Sequence, residues 1–131
     1  MMNKRIFIVA FFAFLFLAGS VYAAIGITEL RTEQLKNPLG IDVRQPRLGW
    51  RIESDEQNVM QTAYHILVAS SPELLAQGKG DMWDSGKIET DASQWITYQG
   101  EPLKCNAPYY WKVKVYTNKG EANWSNPAFW S

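Results

Sequence analysis

The sequence is poor in the residues that build reaction centres and covalent braces. Cys105 is its single cysteine and His65 its single histidine. One cysteine closes no internal disulfide, and one histidine beside it cannot assemble the usual ligands of a zinc site. No metal and no other cofactor is therefore expected, and the fold has to hold by packing alone. Cys105 reads as a small core residue or as a stray thiol on a loop. Thirteen basic residues balance thirteen acidic ones, so no positive field exists to grip a nucleic-acid backbone. Nucleic acid is excluded as a partner on that ground. The chain also lacks a Gly-x-Ser-x-Gly elbow, a phosphate-binding loop, internal repeats and low-complexity stretches.

Long apolar runs are missing too, with one exception at the start. Lys4 and Arg5 precede "IFIVAFFAFLFLA" (Ile6–Ala18), which holds five of the six phenylalanines. Gly19 and Ser20 break the run, and Val21 and Ala23 supply small residues. A basic start, an apolar core of about 7–15 residues and a small-x-small end describe a secretory signal peptide. The run falls short of the roughly 20 apolar residues a spanning helix needs. Ser20 stands where a lipoprotein signal would carry its lipid-accepting cysteine. Cleavage is expected after Ala23, with Ala24 as second choice. The sequence thus reads as a signal peptide over residues 1–23 and one domain over 24–131. The protein is expected to be exported, periplasmic or extracellular, with no membrane attachment after cleavage.

What is present in quantity is aromatic and alternating. Six tryptophans and six tyrosines serve a chain of 131 residues. A large aromatic buries roughly 150–250 Å², worth at most about 4–6 kcal/mol at about 25 cal/mol per Å². In "YYWKVKVY", Tyr109, Trp111, Val113 and Val115 share one face and the lysines the other, the period of a half-buried antiparallel strand. "TNKGE" (Thr117–Glu121) supplies a hairpin in which Gly120 is free to take a positive φ. "ANWSNPAFW" reads as the last strand, demoted by Pro127 to an edge or a bulge. Upstream, strands are expected at Ile27–Glu33, Arg47–Ser54, Ala63–Ser71, Met82–Glu89 and Ser93–Gly100. Leu48, Trp50 and Ile52 face inward on the second of these, and Tyr64, Ile66 and Val68 on the third. The prolines and glycine between Lys36 and Pro46 suggest a loop crossing between sheets. Ser71, Pro72, Glu73 and Gly78 carry the start and stop signals of one short helix. About seven short strands and a buried tryptophan on an early one predict an all-β sandwich of fibronectin type III or immunoglobulin type.

The spacing of Leu103 and Tyr109 is similar to that of a tyrosine corner, in which the phenol bonds a nearby backbone group. Further, "NPLGID" (Asn37–Asp42), "PRLGWRI" (Pro46–Ile52), "QTAYHILVASS" (Gln61–Ser71), "WDSGKI" (Trp83–Ile88), "YYWKVKVY" and "ANWS" occur in one order. Together they resemble the N-terminal fibronectin III-like domain of bacterial α-L-rhamnosidases, from about Ile27 to Ser131. The resemblance implies that hydrolysis of terminal rhamnose belongs to a later α/α barrel, where paired carboxylates act. No position here matches those catalytic motifs. The chain is accordingly expected to be non-catalytic, a module or a truncated product. Its implied partners are the catalytic and other domains of a rhamnosidase-like enzyme, or else a glycan.

Candidate residues follow from these readings. Trp50, Tyr64, Ile66, Leu103, Tyr109, Trp111, Val113 and Val115 form the expected core. Trp83, Trp95, Trp124 and Trp130 are candidates for stacking a sugar or contacting a neighbouring domain, although filling the core is the plainer role. Leu67, Tyr110 and Tyr116, on the opposite face of their strands, suggest an apolar docking patch. Asp81, Asp84, Glu89 and Asp91 are the one carboxylate cluster, but glycoside hydrolysis needs a pair with one raised pKa. Asp84 fits better as the anchor of the "DSG" turn. His65 falls on an outward face with no catalytic role. "NWS" at Asn123–Ser125 matches the N-glycosylation pattern by chance.

Overall fold

A computed structural model describes residues 25–131. The expected signal peptide over residues 1–23 lies outside the described residues. The chain forms β1 (Ile25–Thr32), β2 (Arg47–Ser54), β3 (Gln61–Ala69), α1 (Pro72–Ala76), β4 (Trp83–Asp84), β5 (Ile96–Thr97), β6 (Tyr109–Thr117), β7 (Gly120–Glu121) and β8 (Ala128–Trp130). One sheet has the order β1-β2-β5; the other runs β4-β3-β6-β7, with β8 also pairing β6. Every pairing is antiparallel. This is the immunoglobulin-like sandwich that the alternating segments call for.

Alternation becomes burial most cleanly in β6, where Tyr109, Trp111, Val113 and Val115 are buried and the residues between them half-buried. They meet Leu48, Trp50, Tyr64, Ile66, Val68, Tyr98 and Trp130 in one apolar core. Leu103 is half-buried and packs against it. The Tyr109 hydroxyl accepts a hydrogen bond from the Lys104 N–H at 2.7 Å, which ties the crossover to the base of β6. Ser71 caps α1 by accepting from the Leu74 N–H at 3.2 Å. Beyond it Gly78 takes φ 74°, and the Gly78 and Lys79 N–H groups donate to Leu75 and Leu74. That is a Schellman stop, which a residue with a Cβ would strain.

Three expected strands are shorter than their sequence patterns. In Met82–Glu89 only Trp83 and Asp84 form a strand, with an isolated bridge from Ile88 to Tyr64. Between them the Ser85 hydroxyl, not a carbonyl, accepts from the Ile66 N–H at 2.8 Å, so the ladder bulges. In Ser93–Gly100 only Ile96 and Thr97 pair, because Trp95 sits at φ 59° and turns the backbone away. "ANWSNPAFW" divides as well. Ala122 and Ser125 donate to Val115 and Val113, yet Pro127 has no N–H to continue the ladder, and β8 restarts at Ala128.

Two further expectations need correction. The segment from Lys36 to Pro46 does not cross between sheets, since β1 and β2 pair with each other. It instead straps the first sheet to the end of β8. Phe129 N–H donates to Asn37 Oδ1 at 3.1 Å, Ser131 N–H to the Pro38 carbonyl at 3.1 Å, and Ile41 N–H to the Ser131 carbonyl at 2.8 Å. Leu67 is not part of an open docking patch. It is buried in a second small cluster with Ala69 and Leu75, where α1 covers the outer face of β3.

Candidate contact surfaces

The four tryptophans proposed as contact residues separate by position. Trp130 is 2% exposed and lies between Tyr98 and Tyr109, with ring centroids 6.0 and 5.7 Å away. It therefore has no face to offer a sugar. Trp83 is half-buried, edge-on to Tyr98 at 5.5 Å. Trp124 is half-buried on the outer face of the larger sheet, with His65 edge-on at 5.1 Å and the Lys112 ammonium 5.1 Å above its ring. Trp95 alone of the four stands well into solvent, 55% exposed.

Trp95 is held there by its surroundings. A positive φ at a bulky residue costs on the order of 1–3 kcal/mol and persists only where neighbours dictate it. The Arg47 guanidinium lies 4.5 Å from the ring centroid, a cation–π contact. Glu33 in turn grips Arg47, accepting from Nη2 and from the backbone N–H at 2.8 Å each and from Nε at 3.3 Å. These hydrogen bonds hold the Glu33 carboxyl below its ordinary pKa and push Arg47 up. Neither residue stands out in the sequence. The pairing joins the end of β1 to the start of β2, a contact made only by the strand register.

Beside this platform, the outer face of the smaller sheet carries a polar open groove of about 930 Å³, lined by Glu29, Arg31, Gln34, Arg51, Asp91 and Gln94 among others. Glu29 and Arg31 form an ion pair across a bulge in β1, where Glu29 takes φ 53°. The inner wall is braced by Gln61, whose Oε1 accepts from Trp50 Nε1 at 3.0 Å. Its amide group donates to the carbonyls of Thr90 and Ala92 at 3.1 and 2.7 Å.

The carboxylate cluster does not converge. Asp81 accepts from the Ser70 N–H and hydroxyl at 2.9 and 2.5 Å. Asp84 accepts from the Gly86 N–H at 3.0 Å and contacts His65 Nε2 at 2.6 Å. Burial pushes both carboxyls up, but these hydrogen bonds outweigh it and leave both pKa values lowered. A glycosidic acid needs the opposite shift. Glu89 and Asp91 lie exposed on the following loop. Among the described residues no group of histidine, cysteine or carboxylate side chains is placed to hold a metal ion. Cys105 is an exposed free thiol. His65 is half-buried on the outer face. Ser125 of the "NWS" triplet is buried, its hydroxyl accepting from the Val113 N–H at 3.0 Å.

Tyr110 and Tyr116, grouped with Leu67 in the expected patch, are half-buried. Tyr110 packs beside Phe129, and the ammonium groups of Lys87 and Lys114 lie 4.5 and 5.4 Å from the Tyr116 ring. That outer face is capped by a helix and by lysines, not left apolar.

Comparison with known proteins adds the wider setting. Residues 27–131 match the family model described as the Rha78A-like, N-terminal immunoglobulin domain. An α-L-rhamnosidase of Formosa agariphila is 42% identical over 94 residues, covering 71% of this chain and 10% of that protein. The α-L-rhamnosidase of Streptomyces avermitilis is 39% identical over 109 residues, 82% of this chain and 10% of its own length. The crystal structure of that enzyme complexed with L-rhamnose superposes with a TM-score of 0.77. The structure from Dictyoglumus thermophilum does so equally well, at 33% identity over 80% of this chain and 12% of that one. The chain thus spans about a tenth of the length of the relatives it matches.

Proposed function

The chain belongs to the family of Rha78A-like N-terminal immunoglobulin domains, and from that premise we propose a non-catalytic accessory role. In this reading it is a module of an exported α-L-rhamnosidase-like glycoside hydrolase, and it packs against and positions the neighbouring domains. The observation that carries the proposal is the extent of the match. It covers the N-terminal immunoglobulin domain and about 10% of the rhamnosidases, not their catalytic region. The dispersed and lowered carboxyls Asp81 and Asp84 agree with that assignment. The exposed ring of Trp95 beside a polar groove favours a second reading, a carbohydrate-binding module.

The test extends the 131-residue chain past Ser131 with the region that follows the matched segment in the Streptomyces avermitilis enzyme. An accessory domain should unfold together with that region in one cooperative transition, and the chain alone should release no rhamnose from an aryl rhamnoside. Two independent transitions, or release by the chain alone, would overturn the proposal. A saturable change in tryptophan fluorescence on adding rhamno-oligosaccharides would move the choice to the second reading.

A further inference from the structure

Resting on the accessory reading, we infer that the end of the sandwich around Ser131 is the docking face for the domain that follows it, with Leu39 and Val43 as the apolar anchors. The strand registers place the end of β1, the start of β2, the start of β6 and the end of β8 at this one end. Ser131, where the polypeptide leaves the sandwich, is held on both its backbone groups by the Pro38 carbonyl and the Ile41 N–H. Any continuation of the chain therefore departs in a set direction beside Leu39 and Val43.

Both anchors are uncovered. Leu39 is 76% exposed and Val43 42%, on a loop whose Pro38 is buried and whose Asn37 and Gly40 take φ 47° and 70°. Apolar side chains displayed on a strapped loop lose little freedom on contact, which is what makes a surface ready for a partner. Val43 also lines a shallow recess of about 60 Å³ with Leu103, Cys105, Ala107 and Ser131, rimmed by Asp42, Arg44 and Lys104. The other broad surfaces lack this character. Helix α1 and lysines cover the outer face of the larger sheet, and the outer face of the smaller one is a charged groove.

The occupant follows from where this end sits. The family match runs to Ser131, and the relatives are about ten times longer than the matched segment. A domain joined at Ser131 meets Leu39 and Val43 at the raised effective concentration of an intramolecular contact, from an exit point fixed by Pro38 and Ile41. The rings that line the recess, Tyr109 and Trp130, are buried and offer a sugar no face to stack on.

Cys105, the single cysteine of this chain and exposed at the recess, serves as the reporter. Its maleimide labelling is followed by peptide mass in the 131-residue chain and in the same chain extended with the downstream region of the Streptomyces avermitilis enzyme. Docking should slow labelling of Cys105 on the order of tenfold or more, as for a group reached only by local opening. Leu39→Asp with Val43→Asp should restore the fast rate, whereas Met60→Asp at the opposite end should not. Leu39→Ser serves instead if the double variant does not fold. Equal rates with one cooperative unfolding transition would overturn this face and leave the accessory reading standing. Equal rates with two separate transitions would overturn both. Protection of the unextended chain that grows with its concentration would make the occupant a second copy, against the inference.

Discussion

The two sheets share one core but are held to it by different means. In the larger, β3 and β6 pair without interruption from Ala63–Tyr116 to Ala69–Tyr110, and every inward residue of β6 is buried. Its central Trp111 is fully buried with an indole N–H that has no hydrogen-bond partner among the described residues. In the smaller sheet, β1 meets β2 across a bulge and β5 contributes only Ile96 and Thr97. Polar ties make up the difference there: Gln61 to Trp50 and the Thr90–Ala92 loop, Gln94 to the Trp50 carbonyl at 2.8 Å, and Glu33 to Arg47. Each sheet tolerates one such orphan, Thr28 Oγ1 in the smaller, at a cost of about 1–3 kcal/mol. A short, bulged sheet relies on side chains that close its gaps.

Removing the central tie should break this contrast hardest. Gln61→Met keeps the shape but strands the Trp50 N–H and two loop carbonyls, and we expect a loss of about 2–3 kcal/mol in urea unfolding. A loss under about 0.5 kcal/mol would mean that packing alone holds both sheets.

A matched pair sharpens the comparison further. Trp50→Phe and Trp111→Phe remove similar volume from the same core, but only the first also breaks a hydrogen bond and leaves Gln61 Oε1 unpaired. Trp50→Phe should therefore cost about 1–2 kcal/mol more. The reverse order would contradict the assignment of polar ties to the smaller sheet.

The smallest effect is set by pH. Hydrogen bonds from Arg47 lower the folded pKa of Glu33 beneath its ordinary 4.5. The stabilisation is complete above that value and is lost as pH falls through the lower folded one. Glu33→Gln should lower stability slightly in the neutral region and leave it unchanged at the acid end, so that the acid limb below about pH 4.5 flattens; the loss is small because Arg47 is half-exposed and such pairs contribute modestly. An unaltered acid limb would show that Glu33 does not report on this sheet.

The longer patterns are legible in the sequence and the short ones are not. Period-two alternation marks β2, β3 and β6 because each has one face on a common core. Ser71, Pro72 and Gly78 mark α1 because capping is local chemistry. The shorter strands read at Met82–Glu89 and Ser93–Gly100 exist but are cut to two residues each, because a serine hydroxyl replaces a carbonyl in one and a positive φ turns Trp95 in the other. Both events depend on what lies across the strand. The contact surfaces were harder still, since the Arg47–Glu33 brace and the strap on Ser131 join residues far apart in the chain.

By itself, then, the sequence determined the sandwich, its inward-facing rows and the family the chain belongs to, all of which rest on local periodicity and motif order. Tertiary structure alone decided which outward apolar residues stayed open. It covered Leu67 with α1, drew Trp130 into the core, and left Trp95 and Leu39 in water. Exposure depends on which element packs above a residue, and no periodicity along the chain records that.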